Sequence, residues 1–302
     1  MPTDKSSSRT GGLIRIAIAY VVALVVAAVW LTWGPRTAHL WLDTLIADVL
    51  ATLVIFVFSR RYGNSSFYDA YWSVIPPLLL VFWWWRGDLG IGDVRCWAVA
   101  VVTAVWAVRL TANWVRSFPG LHHEDWRYAQ LRDSAGRWGP VVDLFAIHLI
   151  PTLQVFLGMV PVYVAVTRVA PAHTWLTVIA LVVGLGAVGL EALADRQMRE
   201  FARDHRPGEV MDRGLWGWSR HPNYFGEFGF WLALWLFGVS ASPADAWWMA
   251  LGVIAMLAMF EFASIPMMEQ RSLARRPGYQ SVIDQVPRFL PRPPARSPGH
   301  GT

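Results

Sequence analysis

Eight separate stretches of this chain are apolar over about 20 residues, the length needed to cross the roughly 30 Å hydrocarbon core of a bilayer. They fall at 13–33, 40–58, 69–85, 96–115, 141–167, 173–193, 224–240 and 245–265. Inside a bilayer each backbone amide and carbonyl must find its partner within the protein, so separate apolar runs of this length fold as helices. The third run is interrupted by Pro76-Pro77, and the seventh is short. The first run is too long for a signal peptide, lacks a small-residue cleavage site, and is followed by further spans. Only 16% of the 302 residues are charged, too few to cover a water-soluble fold of this size. Nineteen tryptophans suit the headgroup level, where an indole is half apolar and half wet. The predicted fold is therefore all-α, a polytopic transmembrane bundle of about eight spans.

The basic residues set the expected orientation. Lys5, Arg9 and Arg15 open the chain, and Arg60 and Arg61 follow the second span. Arg116, Arg127, Arg132 and Arg137 lie between the fourth and fifth, and six arginines from Arg196 to Arg220 between the sixth and seventh. Arg271, Arg275, Arg276, Arg288, Arg292 and Arg296 belong to the tail. If eight spans alternate, 21 of the 26 basic residues share one side; Arg36, Arg86, Arg95 and Arg168 take the other, and Arg109 lies inside a span. The crowded side is expected to be cytoplasmic, which puts both termini there. The expected location is a bacterial cytoplasmic membrane.

Residues 1–12 and 291–302 have the composition of disordered tails around a single membrane domain at 13–290. The longest loops, 116–140 and 194–223, both fall on the arginine-rich side, where a polar substrate or cofactor would be met. The single cysteine, Cys96, excludes an internal disulfide and any multi-cysteine metal site. Basic membrane loops account for the net charge of +5, so nucleic acid is not an expected partner, and no obligatory protein partner is evident.

Several polar residues invite a functional reading. Asp69 and Tyr71 open the third span; either they face headgroup water, or Asp69 is a buried, functional acid. Arg109 and Asn113 share a face of the fourth span, where Arg109 either snorkels to the interface or partners Asp69 or an anionic ligand. The segment HisHisGluAspTrpArgTyr at 122–128 raises a metal, but adjacent helix positions diverge and no second ligand cluster stands out. A solvated, salt-bridged loop is the reading preferred there, with no metal, and closure over a site is a further role open to it. Glu191, Asp195, Arg199 and Arg203 follow at intervals of four, forming one polar stripe where the sixth span leaves the membrane; such a stripe is ordinarily a paired helix extension. After Pro207-Gly208 comes GlyLeuTrpGlyTrpSerArgHisProAsnTyrPheGlyGlu at 214–227. Pro222 can begin a helix at its first turn without wasting a donor, and the free backbone amides there, with Arg220 and His221, suit a phosphate.

This motif, preceded by Glu191-x-x-x-Asp195, resembles the DUF1295 group of steroid 5α-reductase-like membrane proteins. The carboxyl end is similar too, with Pro266-Met-Met-Glu269-Gln-Arg271 and Pro277-Gly278-Tyr279; the likeness covers about 40–292. A shorter ArgHisPro-x-Tyr-x-Gly core also occurs in isoprenylcysteine carboxyl methyltransferases and sterol C14 reductases. The resemblance implies a seven-helix core holding NADPH from the cytoplasmic side, so that the first span here is one helix added at the amino terminus. It implies cofactor contacts from Glu191, Asp195, Arg199, Arg203, Arg220, His221, Asn223, Tyr224, Glu227, Arg271 and Tyr279. Glu191 departs from the family's Asn at its position, and an acid there would bond a ribose hydroxyl or an amide rather than a phosphate.

In the steroid reductases an acid seven positions before a proline helps to hold the substrate carbonyl, and Asp69 stands seven before Pro76. The paired tyrosine, three positions before an arginine, falls here on Trp106 before Arg109. Trp106 and Arg109 thus become expected substrate contacts. An indole donates a hydrogen bond but cannot serve as the acid. Tyr128, Tyr71 or Asp69 would supply the proton, with Asp69 and Tyr128 the expected catalytic pair. The implied activity is NADPH-dependent reduction of a conjugated carbon–carbon double bond in a lipid-like substrate: steroid, fatty acyl or isoprenoid. The alternatives are a methyltransferase using S-adenosylmethionine and a non-catalytic lipid-binding protein.

Overall fold

The computed structural model describes residues 8–169, 173–206 and 208–293. Most of both expected tails, 1–7 and 294–302, and Pro207 of the expected turn lie outside them. The described residues form helices and no strand. The elements are α1 (Arg9–Trp33), α2 (Leu40–Tyr62), α3 (Tyr71–Arg86), α4 (Val94–Ser117), α5 (Trp126–Ala135), α6 (Gly139–Val142) and α7 (Ile150–Thr167). They continue with α8 (Thr174–Asp204), α9 (Pro222–Ala241), α10 (Ala246–Met259), α11 (Ile265–Arg275) and α12 (Tyr279–Gln285).

Among the described residues seven helical runs are long and apolar enough to cross a membrane, and the protein is an integral membrane protein. Two of the runs are composite. The run 126–167 joins α5, α6 and α7 through a π-helical stretch, Asp143–Leu149, and the run 243–275 joins α10 and α11 through a second, Phe260–Ser264. The 116–140 segment is therefore largely helical and continuous with the fifth span, bent at Gly136, whose φ is +52°. The helix α3, expected as the third crossing, is not one of the seven: it has 16 residues, about 24 Å at 1.5 Å per residue. It runs through Pro76 and Pro77 without breaking, packed on α4 and α7. Broken backbone bonds of this kind are tolerated in membrane helices enclosed by neighbours.

Helix ends follow their sequence signals. Asp93 and Asp125 cap α4 and α5 by accepting backbone N–H bonds, Gly63 ends α2 with φ of +64°, and Pro222 opens α9. The first helix begins at Arg9, four residues before the apolar run, because Ser8 caps it through the Gly11 amide and Arg9 bonds the carbonyls of Val115 and Phe118. At 31 residues α8 spans about 46 Å, more than a bilayer core, so the first part of the 194–223 segment, through Asp204, is the far end of this helix.

The connections sort into two ends. At one end Asn64 bonds the carbonyls of Leu121 and His123, Arg271 lies over the Trp126 ring at 3.9 Å, and the Arg220 amide bonds the Pro287 carbonyl. At the other, Arg95 bonds the Arg168 carbonyl and the His173 amide bonds the Ser240 carbonyl. The first end carries the arginine-rich loops and both described chain ends.

The core is aromatic. Trp83, Trp106 and Trp231 are fully buried, so part of the tryptophan complement sits inside the bundle rather than at the headgroups. Small residues let helices meet closely, as in other membrane bundles. At Gly226 of α9 an added Cβ would lie 2.7 Å from Glu191 Cβ and 2.9 Å from the Ala187 carbonyl oxygen of α8. Gly226→Val is expected to cost about 1–3 kcal/mol, because a backbone wall cannot yield. Thermal unfolding in detergent should show a clear fall for that variant. Gly189→Ala, where nothing lies within 4 Å, should unfold at the wild-type temperature or above.

Candidate functional site

The seam between α8 and α9 and the adjoining face of α4 hold the densest polar cluster. Arg109 of α4 forms ion pairs with both Glu191 and Asp195 of α8, the second at 2.9 Å. Asn113, one turn along, donates to the same Asp195 oxygen at 3.4 Å. The expected i,i+4 stripe on α8 is therefore not paired within itself: its acids turn inward to α4. Glu227 of α9 accepts from the indole N–H groups of Trp106 at 2.9 Å and Trp231 at 2.8 Å. Trp106 is further fixed by Phe230, stacked at 4.2 Å, and by Trp72, edge-on at 5.7 Å. Three buried or half-buried acids thus share one guanidinium and two indoles. Glu191 Oε2 and Asn223 Oδ1 are buried acceptors that receive no hydrogen bond among the described residues. Groups so placed are costly unless something else donates to them.

Asp69 lies on the opposite flank of α4. Tyr128 donates to its Oδ1 at 2.7 Å and Trp114 to its Oδ2 at 3.3 Å. Desolvation pushes the Asp69 carboxyl above its ordinary value, against the lowering effect of these two donors. Asp69 and Tyr128 come together as expected, whereas Asp69 and Arg109 do not: Arg109 is spent on Glu191 and Asp195. Nor does Asp69 stand beside Trp106; it meets Trp114, two turns further toward the arginine-rich end. The 122–128 segment reaches Asp69 because Glu124 is pinned by Arg132 and by the Ser65 amide, a salt-bridged loop as anticipated.

The ArgHisPro motif divides by role. Arg220 bonds Glu269 at 2.7 Å and also the carbonyls of Ile283 and Val286, which ties α9 to α11 and to the end of α12. His221 lies 3.2 Å from the same Glu269 oxygen. Burial, with Glu269 nearby, pushes the Tyr279 phenol up to about 12. Tyr224 stacks between His221 and Phe260 of the π stretch, at 5.7 and 5.1 Å. Arg199 and Arg203 are exposed on the last turns of α8. Arg127 is bound to Asp125 at 2.8 Å, and Arg271 caps the neighbouring Trp126 ring.

Sequence reasoning passed over a polar file along α2. Tyr71 donates to the buried Asp48 at 2.9 Å, Tyr68 meets Thr152 at 2.8 Å, and Thr52 meets Thr152 at 2.9 Å. Further along, His148 bridges Ser59 and the Asp143 carbonyl oxygen. The available signal was the four-residue spacing of Thr44, Asp48 and Thr52 inside an apolar run.

Removing the shared guanidinium should reveal how much the acids depend on it. Arg109→Met is expected to destabilise the protein by about 3–5 kcal/mol, because it leaves carboxylates uncompensated. Adding Glu191→Gln and Asp195→Asn should restore most of the loss in a denaturant titration in micelles.

Residues 55–286 match the family described as protein of unknown function, DUF1295. The chain is also 27% identical over 307 aligned residues to an uncharacterized protein of the fission yeast Schizosaccharomyces pombe, covering 93% of this chain and 86% of that one. A eukaryotic relative gives no support to a specifically bacterial membrane. No solved structure matches significantly. The match extends over most of the chain and spans α4, the α8–α9 seam and the ArgHisPro motif, and on that ground the chain belongs to the DUF1295 family.

Proposed function

We propose that this protein is a membrane-embedded, NADPH-dependent reductase of a conjugated carbon–carbon double bond in a lipid-like substrate. The observation that carries the reading is the pair of unspent acceptors, Asn223 Oδ1 and Glu191 Oε2, on facing helices at the arginine-rich end. They suit the carboxamide and ribose donors of a nicotinamide nucleotide. Asn223 and Glu191 would hold that part of the cofactor, and Glu227 would brace the wall behind it through Trp106 and Trp231. Arg199, Arg203, Arg127 and Arg271 supply cations for its phosphates. Arg220 and His221, committed to Glu269, act by fixing the first turn of α9 from which Asn223 and Tyr224 project. By the distribution of arginine this end faces the cytoplasm.

When bound, NADPH supplies hydride to the electron-poor carbon of the double bond. The chain supplies electrostatics and the proton. Tyr128 and Asp69 share a hydrogen bond, and desolvation favours the protonated form of Asp69, so the pair can hold a proton for the adjoining substrate carbon. Donors aimed at the conjugated carbonyl oxygen stabilise the negative charge that develops there. The apolar helices admit the lipid portion from the side.

Calorimetry on the full-length protein in detergent should give NADPH tighter binding than NADH or S-adenosylmethionine. Clear S-adenosylmethionine heat with none from NADPH would replace the reductase by a methyltransferase. Asn223→Ala should weaken NADPH while the helix content is unchanged. Asp69→Asn should lower turnover by roughly 10²–10⁴, the usual worth of a general acid, and leave NADPH affinity nearly intact. In the wild type, turnover should fall as pH rises through the elevated Asp69 titration, since the deprotonated acid has no proton to give, and that limb should be absent in Asp69→Asn.

A further inference from the structure

We propose that Tyr20 of α1 is a substrate-binding residue, its hydroxyl donating to the polar oxygen of a lipid-like molecule held beside Asp69. The proposal rests on the reading of Asp69 and Tyr128 as the acid pair. It assigns α1 a part in the site, where the resemblance treats that helix as an addition to a complete core.

Four phenols surround the entrance of α3, and three are spent. Tyr128 donates to Asp69, Tyr71 to Asp48, and Tyr68 pairs with Thr152. Tyr20 Oη is buried and has no hydrogen-bond partner among the described residues. Its ring stands edge-on to Tyr71 at 5.9 Å, two residues along the chain from Asp69; the Ala70 amide is directed at its oxygen, which leaves the hydroxyl proton without an acceptor. Asp69 accepts from Tyr128 and Trp114, and Tyr20 makes no hydrogen bond to it. Tyr20 is thus the unspent donor facing the acid pair, and an unspent hydroxyl shut away from water is costly unless a ligand meets it.

The placement is built, not loose. Ala19 and Ala23, fully buried, bring α1 close against its neighbours. Arg9 fastens its start to the carbonyls of Val115 and Phe118, and Gly12 packs on Phe118 and Leu121. Outward-facing Ile18, Val21 and Val25 are exposed, as suits the lipid-facing side of a helix that forms the outer wall of the Asp69 site. The Tyr20 side chain is half-buried, its ring partly open on the outer side of α1 and its hydroxyl turned inward. The acceptor it fits is a ketone, ester or acid carbonyl at the polar end of an apolar molecule.

The test uses full-length protein in detergent and a long-chain α,β-unsaturated methyl ketone as the probe. Binding is followed by tryptophan fluorescence, stability by thermal unfolding, and NADPH affinity by calorimetry. Tyr20→Phe should bind the ketone about tenfold more weakly, the discrimination expected for one lost hydrogen bond to a ligand. It should retain NADPH affinity and, without ligand, unfold no lower than wild type, because an unpaired donor has been removed rather than a contact. Tyr20→Phe that binds the ketone as wild type does, or that unfolds earlier without ligand, overturns the proposal. If wild type binds the ketone and Tyr20→Phe does not, while neither binds NADPH, the Tyr20 assignment stands and the reductase reading fails. If both bind NADPH and the ketone equally, the reductase reading stands and Tyr20 fails. A wild type that does not bind the ketone at all overturns the assignment together with that substrate class.

Discussion

The close approach of α8 and α9 at Gly226 is the constraint on which the polar interior depends. With no side chain between them, the backbone of α9 lies directly against Glu191 and Ala187. That contact holds Glu191 where Arg109 can reach it from α4, and sets Glu227 one residue further, under the indoles of Trp106 and Trp231. Three helices are thereby locked by groups that would each be unaffordable alone in hydrocarbon. The arrangement leaves both donors and acceptors unpaired, Arg109 Nε among the first and Glu191 Oε2 and Asn223 Oδ1 among the second.

Near its arginine-rich end α4 is a partition. Asn113 faces the acids of α8, while the next residue, Trp114, faces Asp69. A cofactor on one flank and an acid pair on the other would act on a substrate that passes across the end of this helix. The replacement of an expected tyrosine by Trp106 then has a physical sense. The indole is consumed in holding Glu227, and the phenol that bonds Asp69, Tyr128, arrives on a separate segment.

The helices were legible in the sequence because bilayer length and hydropathy act on each span separately; even α3 was legible, since its prolines did not outweigh the apolar run. The sorting of arginines anticipated which connections cluster at one end. The Asp69–Tyr128 pair was legible only as two separate suspicions, and its union depends on Glu124, Arg132 and Ser65 fastening a loop across 59 or more positions of sequence. Arg109 was the least legible. Whether an intramembrane arginine pairs with the acid just before α3 or with those on α8 is decided by helix packing, and periodicity says nothing of which helix comes alongside. The two π stretches were equally hidden: a one-residue widening leaves hydropathy unchanged, yet one of them sets Phe260 against Tyr224.

The tail behind Arg220 has an implication for biogenesis. Backbone bonds from the Arg220 amide to the Pro287 carbonyl and from the Arg292 amide to the Trp218 carbonyl lace the last described residues to the segment that opens α9. The Arg220 side chain adds two more carbonyls from the same stretch. A chain emerging from the ribosome could insert α9 long before those partners exist, leaving a guanidinium and its motif unanchored at the membrane surface. The anchoring of α9 is thus a late product of synthesis, closed only after the final helices have been made.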